Sequence, residues 1–133
     1  MAIYDDLLAE TQPGGKFEKL EKIIPEVINA LRKVQPETPE DFFSFLEELG
    51  SGEIGQSAYI IYNGLLEPDE VYDEDTAEDL GNLLIFGDDM QGYCSAFNVS
   101  EGWVVVEIDP TDMSYEKTHN TFSEFIRDKL NDL

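Results

Sequence analysis

NLLIFGDDMQGYCSAFNVSEGWVVVEIDP, residues 82–110, reads as three short strands joined by two polar turns. Leu83, Leu84, Ile85 and Phe86 form an apolar run closed by Gly87, Asp88 and Asp89. Residues 93–98 mix aromatics with small side chains, and 103–108 are rich in β-branched residues, a composition that suits a pleated, half-buried surface. The intervening GDDMQG and VSEG carry the Gly, Asp and Ser that tight turns require. Strands linked this closely pair antiparallel, so the spacing predicts a meander. A meander must have one face covered, and amphipathic helices elsewhere in the chain can cover it. The expected fold class is α+β: a largely antiparallel sheet flanked by N-terminal helices and a C-terminal amphipathic helix.

Outward from the meander, residues 109–120 read as a loop. Thr121 and Glu124 then have capping-box spacing, and Phe122, Phe125, Ile126, Lys129 and Leu133 fall on one helical face. Upstream, SAYIIY at 57–62 is a strand pattern ending at Asn63-Gly64. Between them, residues 65–82 are dense in acids, yet Leu66, Val71, Tyr72 and Leu80 are spaced to tether the segment to the body, with a short helix or turn over 76–80. Thr38, Pro39, Glu40 and Asp41 have the chemistry of an N-cap, first turn and favourable dipole end. The helix they predict runs to about Leu49, with Phe42, Phe45, Leu46 and Leu49 on one face and Phe43 turned toward a second element. Gly50-Ser51-Gly52 ends it. Phe17, Leu20, Ile24, Val27, Ile28 and Leu31 keep a helical period that Pro25 interrupts, opening the second half. Residues 3–10 form a further short helix, which TQPGGK breaks.

The 133 residues are read as a single domain, long enough to bury about two-thirds of the unfolded surface. No run of about 18 apolar residues and no signal-peptide pattern is present. One cysteine, Cys94, suits a reducing cytosol, so a cytoplasmic protein is expected, without a membrane partner. The net charge is −22, from 30 acids against 8 bases. Between Val34 and Glu116 there is no Lys or Arg, while the stretch holds 21 Asp and Glu. Such a field repels nucleic acid and attracts basic surfaces, although high negative charge also simply favours solubility.

Catalytic chemistry finds little support in the residues. The lone His119 precedes the last helix, and Cys94 has no basic neighbour in sequence to lower its pKa. Asp69, Glu70, Asp73, Glu74, Asp75, Glu78 and Asp79 supply hard oxygens, but their spacing is not that of an EF-hand. No cofactor and no metal is implied. The glycines 50, 52 and 55 lack the Lys-Ser/Thr ending of a phosphate loop.

Taken in order, TPEDFFSFLEELG, GSGEIG, NLLIFGDDMQGYCSAFN, the strand bearing Trp103, and NTFSEFI resemble the SUKH superfamily over residues 36–130, with 1–35 as a helical N-terminal extension. The resemblance implies an α+β domain that binds protein without catalysis. Bacterial members are mostly immunity proteins that neutralise a cognate toxin domain, often a nuclease; the eukaryotic branch acts in signalling and cell-wall regulation.

A nuclease is basic because it must hold phosphates, so an acidic inhibitor suits it. The expected contacts are Asp69, Glu70, Asp73, Glu74, Asp75, Glu78, Asp79, Asp88 and Asp89, with Tyr72 and Tyr93 as aromatic anchors. For the same residues, packing of Tyr93 in the sheet and a merely solvated acidic face remain open. A scaffold for an endogenous basic protein, or a divalent-metal hydrolase using the acidic segment, are the alternative functions.

Overall fold

A computed structural model describes residues 3–56 and 58–132. Its sheet has strands β1 (Gly52–Ile54), β2 (Tyr59–Leu66), β3 (Leu83–Asp88), β4 (Cys94–Asn98), β5 (Val104–Ile108) and β6 (Tyr115–His119). They lie in chain order and every neighbouring pair is antiparallel. Helices α1 (Pro25–Val34), α2 (Glu40–Glu48), α3 (Glu74–Leu80) and α4 (Phe122–Asp132) complete an α+β fold, with short 3₁₀ turns at Asp5–Thr11, Pro68–Glu70 and Val99–Glu101. The meander expected over residues 82–110 is β3–β4–β5.

The two-residue period of the strands sorts the side chains into two cores. Tyr59, Ile61, Phe86, Phe97 and Val105 meet the aromatic face of α2 and α4. Phe42 is the hub: its ring lies 5.2 Å from Phe122, 5.7 Å from Phe97 and 6.0 Å from Phe86, centroid to centroid. Phe43, off that stripe, is buried beneath the Arg32 guanidinium of α1. The opposite face is aliphatic and smaller. Leu83, Ile85, Cys94, Ala96, Val106 and Ile108 are covered there by Leu80 and, in part, by Tyr72.

Four expectations need correction. The helical period of residues 17–24 does not become a helix: the chain turns irregularly and pairs Glu21 with Ser51 in an isolated antiparallel bridge. Pro25 provides the reason, since it offers no N–H to the carbonyl of Glu21, which Ser51 N–H satisfies at 3.0 Å instead. Gly50 makes that approach possible, because a Cβ there would lie 2.3 Å from the Glu21 oxygen. Second, Thr38 does not cap α2. Its hydroxyl donates to the Gln35 carbonyl at 2.8 Å, and Pro39 occupies the N-cap. Third, the short helix expected over residues 3–10 forms as a 3₁₀ helix and begins and ends later, at Asp5–Thr11. Fourth, GSGEIG and the loop after Pro110 each contain a strand, β1 and β6. β2 also runs past Asn63-Gly64 to Leu66, with a register irregularity between Ile61 and Leu66. Ser57 and Leu133 lie outside the described residues.

The start of α4 is capped twice. Thr121 Oγ1 accepts from the Glu124 amide at 3.1 Å, and Asp41 Oδ2, reaching from α2, accepts from the Ser123 amide at 2.9 Å. Burial pushes the Asp41 carboxyl up.

Because Phe42 is fully buried and joins both helices to β3 and β4, Phe42→Ala is expected to lower the unfolding free energy by about 3–5 kcal/mol. Urea titration monitored by far-ultraviolet circular dichroism measures it; a loss under about 1 kcal/mol would mean that the ring is not the hub of this core.

Candidate functional site

The acidic segment is built on two local devices. Glu67 N–H donates to Glu70 Oε2 at 2.7 Å, closing a capping box around the Pro68–Glu70 turn, and Pro68 is buried. Asp73 caps α3 by accepting from the Thr76 amide at 2.9 Å. Glu74 and Asp75 then sit in the first turn, where the helix dipole favours negative charge. Leu80 anchors the other end in the aliphatic core. With the backbone fixed in this way, Asp69, Glu70, Asp73, Glu74, Asp75, Glu78 and Asp79 all stay exposed.

Three of them converge. Asp69, Glu74 and Glu78 line an open groove of about 620 Å³ between α3 and the start of β3. Sequence reasoning missed other parts of its wall, among them Glu67, Leu83, Leu84, Val99 and Gln35, which lies just past α1. The described ion pairs are Lys19–Glu53, Arg32–Glu40, His119–Asp128 and Arg127–Asp6, and none of them involves a groove acid. The groove thus gathers charge of one sign without a described ion pair, and a concavity of one sign focuses field lines outward.

Asp88 and Asp89 stand elsewhere. They close the far end of β3, a strand's length from Leu83, roughly 17 Å at about 3.3 Å per residue. Asp88 accepts from the Tyr62 hydroxyl and, at 2.7 Å, from the Met90 amide. Asp89 Oδ1 accepts from the amides of Gln91 and Tyr93 at 2.8 and 3.0 Å. Both carboxylates thus shape the β3–β4 hairpin. Tyr93 is half-buried and lines a separate depression of about 240 Å³ with Glu107, Asp109, Tyr115 and Glu116. Tyr72 turns into the aliphatic core, where burial, with Cys94 beside its hydroxyl, pushes the phenol up.

One further cluster was not legible in sequence. Ser95, His119, Asp128 and Asp132 line a hollow of about 170 Å³ beside α4. His119 Nε2 lies 2.9 Å from Asp128 Oδ2 and Nδ1 lies 2.9 Å from Thr118 Oγ1. Ser95 accepts from the Tyr59 hydroxyl. With both imidazole nitrogens engaged, His119 has no free base position to offer Ser95. Cys94 is buried, and that burial pushes its thiol up, away from reactivity. Among the described residues no three His, Cys, Asp or Glu side chains group as a metal site, and no helix is long and apolar enough to cross a membrane.

No protein-family model matches the chain, and no curated protein matches it.

The Thr76 hydroxyl and amide hold the Asp73 carboxyl below its ordinary value of 3.8. A depressed folded pKa stabilises fully above the unfolded value and is lost as pH falls through the folded one. Acidification below 3.8 is therefore expected to shrink the helical Cα chemical shifts of α3 before β3–β5 lose dispersion. Asp73→Ala should show the same loss at neutral pH. Helical shifts in α3 that are indifferent to both changes would contradict the cap.

Proposed function

We propose that this protein is a non-catalytic binding domain whose acidic groove receives a basic protein surface, and that it serves as an immunity protein against a basic toxin domain, a nuclease in the first instance. The observation that carries this reading is the groove itself: Glu67, Asp69, Glu74 and Glu78 stand exposed around one concavity, and none is in a described ion pair. A nuclease must present Lys and Arg to hold phosphates. A complementary acidic concavity covers that same surface and steers the encounter. The likeness of residues 36–130 to SUKH domains supports the same role. The contacts proposed are therefore narrower than composition implied. Asp69, Glu74 and Glu78 lead, with Glu70, Asp73, Asp75 and Asp79 contributing field. Asp88, Asp89 and Tyr93 face a different part of the surface.

The test is capture of partners by the tagged protein from its native cells at low salt, compared with the triple variant Asp69→Lys, Glu74→Lys, Glu78→Lys. The expected result is one stoichiometric basic partner that salt elutes and that the variant loses, while the variant's urea midpoint stays close to that of the parent. An unchanged yield from the variant would overturn the groove as the site. A ladder of unrelated basic proteins would reduce the charge to a generic polyanion and overturn the immunity role.

A further inference from the structure

Beside the acidic groove the molecule exposes aliphatic surface that its own fold leaves uncovered. Ile24, Val27, Leu31 and Val34 recur along α1 at intervals of three, four and three residues, the spacing of a continuous helical stripe. Ile28 points into the core, but Ile24, Val27 and Val34 are 60, 39 and 74% exposed. The stripe ends over a small apolar hole of about 50 Å³ walled by Leu31, Val34, Phe43, Gly64 and Leu65. Gln35 borders both this hole and the acidic groove, so an apolar and an anionic concavity adjoin at this residue.

Of the cations on α1, Arg32 is already committed. Arg32 is ion-paired with Glu40 and its guanidinium lies 4.6 Å from the Phe43 ring centroid. Lys33 projects about 100° round the helix from Val34. An occupant matched to both concavities must offer an aliphatic side chain next to Lys or Arg on one segment. A purely basic polymer satisfies only the groove, and a purely apolar face only the hole.

We infer that the α1 stripe and its hole are the anchor site for an amphipathic, basic segment of the protein partner, which places an aliphatic side chain against Leu31, Val34 and Leu65 and its Lys or Arg residues in the groove. This rests on the reading of the groove as a site for a basic partner and adds the recognition that separates one basic protein from another. Charge supplies encounter rate, whereas a buried aliphatic anchor supplies residence time and selectivity.

The probes are two labelled synthetic peptides of equal length, an amphipathic leucine–lysine helix and an oligolysine, titrated at physiological salt by fluorescence anisotropy. The parent protein should prefer the leucine–lysine peptide by about tenfold or more, the scale of one buried aliphatic side chain. Val34→Asn changes a highly exposed position, and Gly64→Ala sets a methyl 3.2 Å from Leu31 Cδ2 and narrows the hole. Each should remove most of the preference while leaving oligolysine binding unchanged. Equal affinity of the parent for the two peptides, or a preference that survives both variants, would overturn the anchor and leave the acidic groove standing. Dimerisation in sedimentation runs that Val34→Asn abolishes, with no peptide preference, would put a second copy on the stripe and likewise overturn it. Saturable binding of neither peptide would overturn the groove reading together with the anchor.

Discussion

The Phe42 ring, held among Phe86, Phe97 and Phe122, is the contact on which the layering of this molecule depends. It fixes α2 and α4 to the same face of the meander, because close-packed rings at these separations leave little room to slide. Tyr4 and Phe17 extend the cluster through Phe45, at 5.5 and 5.8 Å, which draws the irregular N-terminal segment onto that face. The opposite face of the sheet then has mostly aliphatic residues left to cover, and a seven-residue helix suffices. Leu80 and Tyr72 hold α3 there. Its other positions make no demand on the core, so they are free to be acidic.

Four of the eight bases follow the same division. Arg127 pairs with Asp6, donates to the Ile3 carbonyl at 3.1 Å and lies over the Tyr4 ring. Lys19 meets Glu53, Arg32 meets Glu40, and Lys129 sits 4.9 Å from the Tyr59 ring centroid. Exposed ion pairs of this kind add little to stability, so their importance lies more in where they leave the field unopposed. These four gather on the helical face and around the N-terminal segment, whereas Lys117, paired with Val106, stands on the aliphatic side of the sheet. The groove between α3 and β3 receives none of them, and self-repulsion there is a standing cost to the compact state.

How much of this was legible in the sequence follows from what each segment touches. The strands β3, β4 and β5 were legible because both of their faces are buried and their turns carry Gly and Asp at the required places. β6, YEKTH, was not: its first four residues are exposed, so no alternation of polar and apolar marks it, and only the neighbouring β5 makes it a strand. Residues 17–24 carry a helical period that serves an irregular segment instead, since Phe17 needs only to reach Phe45. The acids were legible as composition but not as geometry. Asp88 and Asp89 look like their neighbours in sequence, yet their oxygens are taken by Tyr62 and by hairpin amides. Conversely, Glu67, Gln35 and the exposed Val34 gain their place only when α1 and α3 are brought beside β3.

Stopped-flow association of the captured partner over a range of salt tests the role of the groove most directly. An unopposed acidic groove predicts an association rate that falls by about tenfold or more from low to physiological ionic strength, with dissociation nearly constant, because salt screens the encounter more than the formed contact. The Asp69→Lys, Glu74→Lys, Glu78→Lys variant should lose that salt dependence. An association rate indifferent to salt, or one equally steep for the variant, would contradict a binding role for this groove.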